Sequence, residues 1–161
     1  MASFDQVYER ALDLLELRDH SKRELEDNLI VKFGYDNREL AKSVCEKLAE
    51  SGLLNDERFA RTYADELVRR KHVSPTGLRA ALSSRGIDKR ISDIVIDELE
   101  INPIEQINHL LDGRFRSRDL LDEKQCSKTM NALYRLGFNM NDIKSVILKR
   151  QEELEAEILE N

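Results

Sequence analysis

Residues 74–88 read Ser74-Pro75-Thr76-Gly77-Leu78-Arg79-Ala80-Ala81-Leu82-Ser83-Ser84-Arg85-Gly86-Ile87-Asp88. This stretch holds the start, body and stop of one short helix and the start of the next. Ser74 supplies a side-chain acceptor for a free helix-start N–H, and Pro75 sits at the first helical position, where a missing N–H costs nothing. Leu78, Ala81 and Leu82 fall on one face at i, i+3 and i+4. Gly86 tolerates the left-handed backbone that closes a helix, and Asp88 caps the following helix.

The same grammar recurs along the chain. Gly34, Gly86 and Gly137 are 52 and 51 residues apart and are followed by Tyr35, Ile87 and Phe138. In the first repeat a helix over Phe4–Leu17 carries Val7, Ala11, Leu14 and Leu15. Ser21 and Glu24 form a capping box, Leu25 and Leu29 lead to Gly34, and Asp36 is expected to cap a helix bearing Leu40, Val44 and Leu48. In the second, Asp56 precedes Phe59, Ala60, Ala64 and Leu67, and a third helix carries Ile91, Ile94, Val95 and Leu99. In the third, Asn102-Pro103 opens a helix with Ile104, Ile107 and Leu111. An irregular stretch over 113–121 follows, then Met130, Leu133 and Leu136 before Gly137, and a last helix with Ile143, Val146, Ile147, Leu154 and Ile158. No segment alternates with period 2. The expectation is an all-α protein of nine helices in three tandem three-helix, helix-turn-helix-like repeats, over 1–52, 53–101 and 102–161. A unit of this size buries too little surface to stand alone, so the repeats are expected to stack on their neighbours, giving an elongated molecule that can curve.

Composition supports helix: 36% of residues are charged, 40% hydrophobic, and only two are proline. No apolar run is long enough to span a membrane, and the first residues read as a helix rather than a secretory address. Cys45 and Cys126 fall inside expected helices and read as packed thiols, not as a disulfide or metal site, which with the rest points to the cytoplasm. There is no phosphate-binding glycine loop, no H-E-x-x-H and no C-x-x-C. His20, His72 and His109 are scattered and read as surface or packing residues. The expectation is a non-enzyme with no cofactor and no metal.

The net charge of −6 argues against bulk attraction to nucleic acid, yet charge is uneven. Between residues 69 and 90, Arg69, Arg70, Lys71, Arg79, Arg85, Lys89 and Arg90 face Asp88 alone, a local net of +6. Such a reversal builds a surface complementary to carboxylates or phosphates. The bland alternative is a balance against Glu66, Asp93 and Glu98. A second basic knot, Arg114, Arg116 and Arg118, surrounds Phe115, which reads equally as a contact ring or as core. Glu152, Glu153, Glu155, Glu157 and Glu160 read as the frayed, solubilising end of the last helix.

Several motifs resemble the RecX family. Leu15, Arg18, Ser21, Glu24, Leu25 and Leu29 fit its L-x-x-R-x-x-S-x-x-E-L-x-x-x-L signature, and residues 52–60 (GLLNDERFA) fit its central G-(Y/L)-L-(D/N)-D-x-R-F-(A/V) motif. Lys71, Leu78, Leu82, Arg85, Gly86 and Ile87 match the segment after it, where His72 and Ser74 replace glycines and Gly77 replaces a frequent Arg. Residues 136–143 resemble a C-terminal (R/L)-G-(F/Y)-x-x-x-x-I segment; residues 104–128 diverge. The resemblance implies three three-helix units lying in the groove of the RecA filament on single-stranded DNA. It also implies modulation, usually inhibition, of filament growth and of RecA's ATPase, strand-exchange and co-protease activities. The basic residues above, Arg114 and Arg116 included, are the contact candidates, and a monomer that binds naked nucleic acid weakly at most is expected. The competing reading is a direct nucleic-acid-binding helix-turn-helix protein; an adaptor for another partner is a third.

Overall fold

A computed structural model describes all 161 residues. It contains nine α-helices and no strand: α1 Phe4–Leu17, α2 Lys22–Phe33, α3 Arg38–Glu50, α4 Asp56–Lys71, α5 Pro75–Ser84, α6 Lys89–Leu99, α7 Pro103–Asp112, α8 Glu123–Arg135 and α9 Met140–Glu160. A single 3₁₀ turn, Tyr35–Asn37, lies between α2 and α3. No helix is long and apolar enough to cross a membrane. Helix starts fall where side-chain acceptors stand. Ser21 and Glu24 make the expected capping box, Ser74 accepts from the Gly77 N–H, and Asn102 accepts from the Glu105 N–H. Ser3, Asp122 and Asn139 do the same for α1, α8 and α9.

Some expectations fail. Asp36 does not cap α3: the 3₁₀ turn precedes that helix, and Asn37 sits at its start without a capping bond. Gly34 has φ 94° and ψ 157°, an extended mirror-image conformation rather than the left-handed helical one, so its turn differs from the other two. Gly86 and Gly137 each close a Schellman motif. Ile87 N–H donates to the Leu82 carbonyl and Phe138 N–H to the Leu133 carbonyl, with the glycine N–H groups bonded three residues back. The residues after these two glycines are buried, whereas Tyr35 is 68% exposed. Ile94, Ile104 and Ile158 are exposed: the buried stripe of α6 centres on Ser92 and Val95, that of α7 begins only at Gln106, and Ile158 lies past Ile147, the last buried residue of α9. The acidic end of α9 is helical through Glu160.

The chain divides into two compact units. The first comprises Met1–Ala64 and Ala81–Val95, the second Asp65–Ala80 and Ile96–Asn161. In the first, α1, α2 and α3 pack together around Val7, Leu25, Leu29, Val44, Cys45 and Leu48. Burial, and next the Glu26 carboxylate, push the Cys45 thiol up to about 12, so it is a packed, inert thiol. In the second, α7 and α8 pack on α9 around Ile107, Leu110, Phe115, Leu133, Ile143 and Ile147. The middle triplet α4–α6 is divided between the two units.

Each unit contains one repeat-to-repeat dock. In the first unit, the Ser21 hydroxyl accepts from the Glu24 N–H and donates to the Arg85 carbonyl, the last before Gly86. A Cβ on Gly86 would lie 2.6 Å from Arg23 Cβ. In the second, the Ser74 hydroxyl accepts from the Gly77 N–H at 2.9 Å and donates to the Leu136 carbonyl, the last before Gly137, at 2.8 Å. A Cβ on Gly137 would lie 2.7 Å from Ser74 Oγ, and one on Gly77 2.9 Å from the Leu136 carbonyl oxygen. The departures at positions 74 and 77 thus belong together: the hydroxyl makes the bond, and the missing side chain at 77 lets α5 come close enough for it.

Candidate functional site

The last turn of α4 carries Arg69, Arg70 and Lys71, where cations complement the negative end of the helix dipole. All three are exposed. Arg69 pairs with Asp65 at 2.8 Å and Arg70 with Glu66 at 3.3 Å, both four residues back, the favourable acid-first order. Carboxylates just upstream of the basic strip therefore offset part of its charge. On α5, Arg79 is exposed beside the buried Leu78, as its position predicts. Lys89 pairs with Asp93 at 3.2 Å and Arg90 is exposed at the start of α6. Arg69, Arg70, Lys71 and Arg79 belong to the second unit; Arg85, Lys89 and Arg90 belong to the first.

Arg85 differs from the rest of the strip. Its guanidinium bonds Glu24 at 2.7 Å and lies over the Tyr63 ring, 4.9 Å from the centroid. Tyr63 first, against partial burial, and then Glu24 hold it above its ordinary range. Burial pushes the Glu24 carboxyl up. The Ser21 N–H and the Arg18 and Arg85 guanidiniums outweigh that and hold it below the usual carboxylate range. Arg85 is thus a docking residue of the fold, half-buried in an internal network.

At the second knot, Phe115 is 5% exposed and packs into the core, so it offers no ring to a partner. Arg114 and Arg118 lie over it at 5.2 and 5.6 Å. Arg114 and Arg116 are exposed. Arg150, on α9, is held by Asn108 and by Asp112 at 2.7 Å.

Sequence reasoning missed the roles of Asp56, Arg58 and His72. Asp56 accepts from the Lys22 backbone N–H at 2.7 Å, satisfying a free donor at the start of α2. Arg58 donates to the Gly52 and Leu53 carbonyls, both at 3.1 Å, and pairs with Asp19 at 3.3 Å. The Asp and Arg of the central motif thus organise the first unit. His72 takes φ 56°, the left-handed conformation that a glycine would hold without strain, and stacks on His109 with ring centroids 4.7 Å apart. His20 is 4% exposed; burial pulls its imidazole below the ordinary range, against the raising effect of its bond to the Arg18 carbonyl. The fold nowhere gathers three His, Cys, Asp or Glu side chains that could hold a metal ion.

A family model described as "RecX, second three-helix domain" matches residues 55–96. A protein named regulatory protein RecX, from Stenotrophomonas maltophilia, is 32% identical over 139 residues, covering 84% of this chain and 82% of its own length. The protein of that name from Halorhodospira halophila is 29% identical over 152 residues, 94% of this chain and 92% of its own. The crystal structure of RecX from Lactobacillus salivarius superposes with a TM-score of 0.68 at 21% identity, covering 91% of this chain and 95% of that one. That likeness, by itself, is one of fold.

Proposed function

The chain belongs to the RecX family of regulatory proteins, and from that premise we propose that it binds the RecA filament on single-stranded DNA and restrains it. Filament growth falls, and with it RecA's ATPase, strand-exchange and co-protease activities. The observation that carries this reading is the family relationship, which runs across most of the chain. In this reading the protein acts in the cytoplasm as a monomer and catalyses nothing. Its repeats span 1–52, 53–101 and 102–161, and the two equivalent Ser-to-carbonyl docks support that division.

The contact set is Arg69, Arg70, Lys71, Arg79, Lys89 and Arg90, with Arg114 and Arg116. All eight are exposed. Arg85 is left out of the set because it holds the first unit's dock through Glu24. Guanidinium groups pair with carboxylates or phosphates in bidentate geometry, and a nucleoprotein filament presents both.

The test changes Arg69, Arg70 and Lys71 together to Gln, which removes charge and keeps helix propensity. Single exposed pairs contribute about 0–1 kcal/mol, so the triple change should raise the concentration that suppresses RecA's DNA-dependent ATPase by about tenfold. A folded variant that suppresses as the wild type does removes these residues from the contact. Co-sedimentation with naked single-stranded DNA provides the control: tight, salt-resistant binding without RecA would replace this reading with direct nucleic-acid binding.

A further inference from the structure

The second helices of the three repeats are α2, α5 and α8, and their ends follow one rule with two exceptions. The start of α2, at Ser21, docks on the end of α5; the start of α5, at Ser74, docks on the end of α8. In both, one serine hydroxyl does two things: it accepts from the helix-start N–H and donates to the carbonyl before a glycine. Two ends have no such counterpart within the chain: the end of α2, at Phe33–Gly34, and the start of α8, at Asp122.

Both unmatched ends carry chemistry that replaces the dock. At α2 the carbonyl corresponding to those of Arg85 and Leu136 is that of Phe33. It accepts from the Asn37 side-chain amide at 2.7 Å. Asn37 is 7% exposed and its Oδ1 is buried without a partner, so the residue is held in place for its donor. Space beside Gly34 is open, with nothing within 4 Å of a Cβ built there, whereas Gly86 and Gly137 are pressed by Arg23 and Ser74. At α8, Asp122 accepts from the Gln125 N–H at 3.0 Å, as Ser21 and Ser74 accept at their helices. An ionised carboxylate has no proton to donate onward, and it repels a carbonyl oxygen.

We propose that Asn37 and Asp122 are end caps: they terminate the repeat at three and prevent a second copy of this chain from adding head to tail through the start of α8 and the end of α2. A head-to-tail contact that does not close generates open fibres, and stacked repeats need ends that refuse a neighbour. Copies meeting on an extended target then stay separate at these ends. The proposal rests on the three-repeat reading above and is independent of the identity of the partner.

Sedimentation of the purified full chain, without RecA or DNA, provides the first test. The wild type should stay a single species, while Asn37→Ala with Asp122→Ser frees one carbonyl and supplies one hydroxyl donor. That variant, folded by circular dichroism, should show a concentration-dependent rise in weight-average mass of about twofold or more. A wild type that itself associates, or a folded variant that stays monomeric at the highest concentration reached, overturns the proposal. If the double variant does not fold, Ser74→Asp decides. It keeps the helix cap and removes the donor, so amide exchange at Gly137 and Phe138 should accelerate more than in Ser74→Ala. Equal or slower exchange in Ser74→Asp overturns the proposal. Failure here leaves the RecA reading standing, because no RecA is present.

Discussion

At the first dock, Ser21 is surrounded by charge. Glu24 bonds Arg18 and Arg85, Arg23 donates to the Ser84 carbonyl, and Asp56 holds the Lys22 N–H. At the second, Ser74 meets the Leu136 carbonyl with Gly77 and Gly137 pressed against it. The backbone solution is the same: a hydroxyl crossing from a helix start to a Schellman turn. The surroundings differ, so the first joint should respond to salt and pH, and the second mainly to volume.

The largest effect expected separates the docked glycines from the open one. Gly137→Ala forces a side chain onto φ 95° and within 2.7 Å of Ser74 Oγ. Backbone strain of roughly 1–2 kcal/mol adds to overpacking of roughly 1–3 kcal/mol, for a loss of about 2–5 kcal/mol. Gly34→Ala meets no neighbour and carries only the strain of its own extended mirror-image backbone, roughly 1–3 kcal/mol. Urea denaturation of both variants measures the gap. Equal losses would mean that the glycine seats at the docks are not tightly filled.

A smaller effect sharpens the electrostatic difference. Glu24→Gln removes the acceptor shared by Arg18 and Arg85 and should cost about 1 kcal/mol at low salt, since both guanidiniums are substantially exposed and screened. The loss should shrink as salt rises. Ser74→Ala, at the neutral dock, should give a loss that salt leaves unchanged. Denaturation at two ionic strengths checks both.

The smallest effect is in pH. His20 lies below its ordinary value when folded, so the unfolded chain takes a proton first and stability declines as pH falls from the ordinary value of 6.5. Glu24 is also depressed, and its contribution is lost only as pH falls below the usual 4.5. Two successive declines are expected, with His20→Gln removing the first alone. Protection factors of the Gly137 and Phe138 amides, with the intrinsic pH dependence of exchange divided out, should stay flat across the first window.

Much of the helical layout is readable from local chemistry. Ser21 with Glu24, Ser74 with Pro75, and Asn102 with Pro103 mark helix starts because a helix leaves free N–H groups that nearby side chains satisfy. The faces of Val7 and Ala11, and of Ile143, Val146 and Ile147, are buried as their spacing requires. The basic strip was legible as composition and less so as a surface. Asp65 and Glu66, one turn upstream, pair with Arg69 and Arg70, while Arg85 turns to an acid on a different helix. Gly34 looked like Gly86 and Gly137 because a glycine is compatible with several backbone conformations, and sequence does not say which one is used.

The sequence alone determined that this chain is helical, where most helices start and stop, and to which family it belongs. Those properties depend on periodicity, on caps within a few residues of each helix end, and on motif spacing. Tertiary structure alone decided that Ser21 and Ser74 each bridge two repeats, that Phe115 is core, that Arg85 is a strut, and that the Asn37 amide donates to the Phe33 carbonyl. A polar side chain has many satisfactory partners, and the one it takes is set by what packing brings within 3 Å of it, often from far along the chain.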